Sequence, residues 1–239
     1  MSLSPLRWMA ERGRLALIGG VAGAAALAVG TTASLGGFTA SITNTGNKVA
    51  TGSLIMQEQV TPNGGTTTTC LSTAANAAIS TNANTACGAN KFGALTNAIP
   101  GSSSFSTVVV TNQGSVTANS FTLGTGSCTA TPTAPTGAAA TNVGSDTAFC
   151  SKVDVTIEDD TTTPTCIYPA GSGTCPALSN TYNLGTLSAA YSATPLTLTA
   201  PLAAGAARTY KVSVGVDSSA TNADQAMAAT EPLTFNFGS

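Results

Sequence analysis

The chain has 239 residues, of which 8 are Lys or Arg, 10 are Asp or Glu and none is His, so charged residues make up only 8%. Without imidazole there is no Ser-His-Asp triad and no His-ligated zinc, and a net charge of −2 with no basic run after Arg14 leaves nucleic-acid binding no electrostatic footprint. The 42% hydrophobic fraction is largely alanine, aromatics supply 5%, and Thr, Ser, Gly and Asn fill much of the remainder, which points to a β-prone structural chain.

The N-terminus carries Arg7, Arg12 and Arg14 against one Glu11, and is followed by the uncharged run LALIGGVAGAAALAVGTTA from Leu15 to Ala33. A positive n-region, an apolar h-region and small residues at its end predict a hydrophobic signal helix over residues 1–33, cleaved after Ala33 or Ser34, with a signal peptidase as a transient partner. The run also reaches the roughly 18–20 residues that span a bilayer, so a retained anchor is the rival reading. Gly19, Gly20, Gly23 and Gly30 dilute it, and membrane contact is expected only through this segment before cleavage. Removing it leaves five basic and nine acidic residues, a net charge of −4. Gly37-Phe38-Thr39 superficially matches a type IV pilin processing site, but there the apolar helix follows the cleavage point, whereas here it precedes it.

Residues 34–239 read as one β-domain of adequate length for a sizeable core. In Phe38–Thr43 (FTASIT) strict alternation places Phe38, Ala40 and Ile42 on one face. Gly52–Met56 is expected as a short apolar strand and Phe105–Thr111 (FSTVVVT) as the strongest one, rich in β-branched residues. Phe121–Leu123 follows the Asn112-Gln113-Gly114 turn. Lys152–Glu158 sets Val153, Val155 and Ile157 on one face, and Leu196–Leu198, Thr209–Val216 and Leu233–Phe237 complete the set. Residues 61–97 and 128–148 are low-complexity and read as surface loops, Asp224–Ala228 as a helical turn within a loop, and no segment after residue 34 has a convincing helical period. Short strands separated by Gly, Pro and Asn turns predict an all-β fold, an antiparallel β-sandwich of jelly-roll or Ig-like type with disulfide-stapled loops.

The six cysteines, Cys70, Cys87, Cys128, Cys150, Cys166 and Cys175, all lie beyond the signal segment. An even number in an exported chain predicts disulfides, with 15 connectivities open. Sequential pairing would close three local loops at roughly 2–4 kcal/mol each. There is no C-x-x-C, which weighs against a zinc ribbon or a thioredoxin-type site.

Three stretches together carry a family resemblance: residues 36–54 (GGFTASITNTGNKVATGSL), residues 98–115 (AIPGSSSFSTVVVTNQGS), and Leu202–Phe237 with LAAGAARTYKVSVGVD, Asn222-Ala223-Asp224-Gln225 and a terminal TFNF strand. In this order they resemble the TasA/camelysin family, exported proteins with SipW-type signal peptides. The resemblance implies a jelly-roll subunit of biofilm-matrix fibres, secreted to the cell surface or extracellular matrix, whose N-terminal strand is donated to the next subunit. Phe38, Ala40 and Ile42 match that donor position, and the partner is a second copy of the chain. The physics stands apart from the family: a strand at a freed N-terminus can complete another molecule's sheet, and a head-to-tail contact that does not close gives a filament. The same alternation serves equally for strand one of the chain's own domain.

Some camelysin-like proteins are described as metallopeptidases. A zinc peptidase needs two His ligands and a Glu base in a pattern such as H-E-x-x-H, and this chain has no His, so no enzymatic activity is expected. No Ser-x-x-Lys nucleophile pattern and no phosphate-loop Lys occur either, and no cofactor is expected. Glu158, Asp159 and Asp160, with Asp154 on the preceding strand, could at most offer weak oxygen ligation to Ca²⁺, and otherwise form a solvated turn. The alternative to a fibre subunit is a monomeric adhesive or binding domain, tethered at the cell surface by an uncleaved N-terminal helix.

Overall fold

The computed structural model describes residues 51–73, 87–93, 95–133, 144–171 and 173–239. The predicted signal segment and the strand carrying Phe38, Ala40 and Ile42 lie outside the described residues. Within Gly52–Ser239 the elements run β1 (Met56–Pro62), β2 (Thr68–Leu71), β3 (Ser103–Asn112), β4 (Ser120–Thr125), β5 (Thr129–Pro132), β6 (Val153–Asp159), β7 (Thr165–Tyr168), α1 (Leu184–Tyr191), β8 (Leu196–Thr197), β9 (Ala207–Val216), β10 (Met227–Thr230) and β11 (Leu233–Gly238).

Every pairing is antiparallel. A six-stranded sheet has the order β2-β1-β3-β9-β6-β7, a three-stranded sheet the order β11-β4-β8, and β10 pairs with β5. The long central strands follow from their sequences. In β3, buried Ser106, Val108, Val110 and Asn112 alternate with outward Phe105, Thr107, Val109 and Thr111. In β9, Tyr210, Val212 and Val214 do the same, in register with Val108, Ser106 and Ser104 of β3. Phe121 of β4 joins the two larger sheets: its ring meets Tyr210 edge-on at 5.9 Å and Phe237 at 4.9 Å, while Phe235 stacks on Tyr210 at 5.3 Å. Such aromatic pairs add about 0.5–1.5 kcal/mol each beyond area burial, which matters in a chain so poor in aromatics.

The Asn112-Gln113-Gly114-Ser115 turn is a structural joint. Asn112, wholly buried, donates from Nδ2 to the carbonyls of Val116 (2.8 Å) and Leu202 (3.0 Å), and its Oδ1 accepts from Gly114 N at 3.0 Å. Gly114 passes so close to Ser53 O that a Cβ there would collide with it, so the position requires glycine.

Four expectations need correction. Gly52–Ile55 is not a strand: its carbonyls bond to the 113–116 turn, with Gln113 N donating to Ile55 O and Ser115 N to Ser53 O, both at 2.8 Å, and strand geometry begins only at Met56. The supposed loops 61–97 and 128–148 contain β2 and β5, each held by pairing to a neighbour rather than by an apolar pattern of its own. The helical turn lies at Asn222–Asp224, and Met227–Ala228 belongs to β10 instead. An α-helix does occur after residue 34. α1 starts at a capping box, in which Asn183 Oδ1 accepts from Thr186 N and Thr186 Oγ1 accepts from Asn183 N, both at 3.0 Å, and it buries Leu184 and Leu187. Two turns with two buried leucines are too short a stretch for periodicity to register.

Candidate assembly site

The disulfides are Cys70–Cys87, Cys128–Cys150 and Cys166–Cys175, so all six cysteines are paired in sequential order. Three disulfides fit an extracellular or otherwise oxidising environment. Each ties a poorly patterned segment to a strand or turn. Cys70 of β2 secures the start of 87–93, Cys150 secures the chain before β5, and Cys166 of β7 secures the segment from Cys175 onward, which crosses the outer face of the large sheet. There Leu178 lies directly over Gly215, where an added Cβ would stand 3.0 Å from Leu178 Cδ1.

The four acidic residues considered for Ca²⁺ are dispersed in role. Asp154 is buried, with Oδ1 unpartnered, and burial together with the neighbouring Asp217 carboxylate lifts its carboxyl to about 6. Asp217 itself is held below the usual carboxylate range by the hydroxyl and backbone N–H of Ser219. Glu158 lines a cavity of about 440 Å³ with Phe105 and Lys211, whose Nζ sits 5.1 Å above the Phe105 ring. Asp159 faces Arg208 at 3.8 Å, and Asp160 is exposed. Among the described residues no group of three or more Cys, Asp or Glu is arranged to hold a metal ion.

The feature with most potential lies at β11. It pairs with β4 alone, and among the described residues no strand occupies its second edge. Because Gly126 N donates to Pro232 O across the β4 side, alternation assigns the main-chain groups of Leu233, Phe235 and Phe237 to the open edge, while Leu233 and Phe235 bury their side chains. Beside it runs a groove of about 1810 Å³, whose apolar lining includes Leu54, Met56, Val214, Leu233, Phe235 and Phe237. An edge strand whose outward main-chain groups have no pairing strand is a template for pairing with another chain.

Three carboxylates border this groove. Glu58 lies on the inward face of β1, opposite Val110, and its Oε1 has Lys91 Nζ at 2.8 Å; both side chains are about nine-tenths buried. Burial would raise Asp224, but the backbone N–H of Thr221, a hydrogen bond shared with the Asp146 side chain, the Thr221 hydroxyl and the charge of Lys152 together outweigh it and hold the carboxyl below its usual range. Glu231 has neither kind of support. It is 7% exposed, both carboxyl oxygens lack a hydrogen-bond partner among the described residues, and burial pushes it up to about 8. Sequence reasoning missed this residue, because a Glu-Pro pair ahead of a strand reads as a solvated turn and only tertiary packing buries it. Phe38, Ala40 and Ile42, expected to form a donor strand, lie outside the described residues. Among the described residues no helix is long and apolar enough to cross a membrane.

Compared with known proteins, the chain matches no protein-family model and no curated protein.

Proposed function

We propose that the chain is a secreted structural protein, a subunit of an extracellular, biofilm-type matrix fibre that assembles by strand donation. The single observation that carries this reading is the second edge of β11, which no strand among the described residues occupies, beside an apolar groove. An incoming strand with apolar residues at every second position would satisfy the free main-chain groups of Leu233, Phe235 and Phe237 while its side chains fill the groove. Phe38, Ala40 and Ile42 have that spacing, just beyond the predicted cleavage point. Since donor and acceptor are different surfaces, each subunit gives one strand and receives one, and the contact propagates. The same reading takes the antiparallel sheets as a sandwich of jelly-roll type and takes the role of the chain as material rather than catalyst, in keeping with its resemblance to TasA-like proteins.

Electron microscopy of the exported protein tests it. Filaments are expected from the natural sequence, and Phe38→Asp or deletion of residues 35–43 should abolish them. A deleted form that still polymerises would remove strand donation as the mechanism. An exported protein that begins near Met1 and stays monomeric would favour the tethered adhesive domain.

A further inference from the structure

On the outer face of the six-stranded sheet, register brings polar side chains of three neighbouring strands together. Phe105 of β3 stands opposite Ser213 of β9, which stands opposite Thr156 of β6, and in the next row Lys211 of β9 stands opposite Glu158 of β6. All five line the cavity of about 440 Å³, a size within the range of about 300–1,000 Å³ usual for small-molecule sites. One wall is the segment Cys175–Leu178. It is pinned by the bond of Cys175 to Cys166 of β7, by Leu178 over Gly215 and, further along, by Tyr182 O accepting from Val155 N at 2.7 Å. The cavity is therefore preformed. Asn63 stands at its rim, placed there by its N–H donating to Phe105 O at 2.9 Å. Lys211 and Glu158 share a register position yet form no ion pair, because Lys211 Nζ is held over the Phe105 ring instead, 5.1 Å from its centre. Among the described residues the Glu158 carboxylate and the hydroxyls of Thr156 and Ser213 have no hydrogen-bond partner either, and none of them is sealed from solvent.

We propose that this cavity binds a neutral saccharide unit of hexose size. A carboxylate only accepts hydrogen bonds and an ammonium only donates them, so a ligand that satisfies both needs groups able to donate and to accept. Sugar hydroxyls do both. Neighbouring hydroxyls of one ring bridge Glu158 and Lys211, while Thr156, Ser213 and Asn63 serve the rest, and the bonds to the two charged groups are the strong ones. Charge decides against the other classes of small ligand. A simple anion such as phosphate meets the like charge of Glu158, and a simple cation meets that of Lys211. An apolar ligand strands the carboxylate and the hydroxyls without partners. A zwitterionic amino acid matches the two charges but leaves most of the hydroxyl row unused. The half-buried Phe105 ring gives the C–H face of a sugar an apolar surface to lie against. This site does not depend on strand donation, since none of these residues lies on β11 or lines the groove beside it.

The test is ligand-detected saturation-transfer NMR on the exported protein, with the methyl glycosides of glucose, galactose, mannose and N-acetylglucosamine as probes. At least one of the four is expected to bind. Calorimetry with that probe should show affinity falling about tenfold or more in Glu158→Ala and in Lys211→Ala, the loss expected for a hydrogen bond to a charged group. Thermal unfolding checks that each variant folds. Should Glu158→Ala lose its cooperative transition, Glu158→Gln keeps the shape, removes the charge and carries the same expectation. Inorganic phosphate and glycine complete the set of probes. Binding of none of the four glycosides, a preference for phosphate or glycine, or saccharide affinity unchanged in either folded variant overturns the site. Filament formation reads strand donation separately, so the failure of one reading leaves the other standing.

Discussion

Burial and charge conflict most sharply at Glu231 and Asp154, and their conflict gives the molecule an unusual pH response. Both carboxyls have folded-state values above their ordinary ones, about 8 against 4.5 for Glu231 and about 6 against 3.8 for Asp154. A group of this kind stabilises the fold fully below its unfolded value, and its contribution is lost as pH rises through the folded value. Asp217 and Asp224, held below 3.8, act in the opposite sense, contributing above that value and losing it as the pH falls. Stability should therefore peak near pH 4 and decline towards pH 8, each excess proton adding a slope of up to about 1.4 kcal/mol per pH unit. Thermal unfolding of the unassembled subunit at steps from pH 3 to 9 measures this. Glu231→Gln should flatten the limb between about 6 and 8, where Glu231 acts alone, and only halve the slope between about 4.5 and 6, where Asp154 contributes as well. A melting temperature that rises from pH 5 to 8 would contradict the burial of both groups as the controlling influence.

At the scale of elements, the disulfides hold what the sequence pattern leaves weak. Cys128 sits between β4 and β5 and Cys150 in the short 3-10 turn Phe149–Lys152 that leads into β6, so their bond ties the small β5-β10 pair to the large sheet. With a sequence separation of 22 between the partners, chain entropy alone assigns it about 3 kcal/mol. Replacing both cysteines with Ala should lower the urea midpoint by roughly 1–2 M at an ordinary m value. The loop is not wholly freed, because Ser188 Oγ still donates to Gly126 O at 3.0 Å and accepts from Cys128 N at 3.3 Å. An unchanged midpoint would show those contacts to be sufficient. The same contrast explains which elements could be read in advance. FSTVVVT, KVDVTIE, TYKVSVGV and LTFNF each alternate strongly enough that one face must be buried, and all four are strands. β1 reads MQEQVTP, and its inward Glu58 is admissible only because Lys91, from a segment held by the Cys70–Cys87 bond, meets it there. β2, β5 and β10 are Thr, Ala and Pro-rich pieces that become strands through their partners, a non-local cause that no window of sequence contains. For the candidate site the division is similar. The TFNF strand was legible, but its position at the edge of a sheet is a matter of topology, and the burial of Glu231 depends on packing from several elements at once.

At the scale of the whole molecule, the proposed strand donation would use two different surfaces, the β11 edge that no described strand occupies and a strand elsewhere in the chain, and such asymmetry is what an end-to-end polymer requires. A strand taken up by the same chain would close the edge and end growth, whereas a strand taken up by a neighbour leaves one donor and one acceptor free at opposite ends of every oligomer. These alternatives differ in how they respond to free peptide. A synthetic peptide of residues 36–48 carries the alternating apolar face without the body that would continue the chain. In an intermolecular polymer it competes for the exposed acceptor end, so filament length should fall as its concentration rises, while the melting temperature of the capped subunit increases through ligand linkage. Phe38→Asp in the peptide should remove both effects, since a carboxylate cannot be placed among Met56, Val214 and Phe235 without a partner. If the strand instead belongs to its own domain, the edge is already filled before peptide arrives, and neither length nor melting temperature responds. Filament length by electron microscopy and melting by scanning fluorimetry, taken on the same peptide titration, separate the two arrangements, because only an acceptor vacant at the filament end couples a shorter polymer to a more stable subunit.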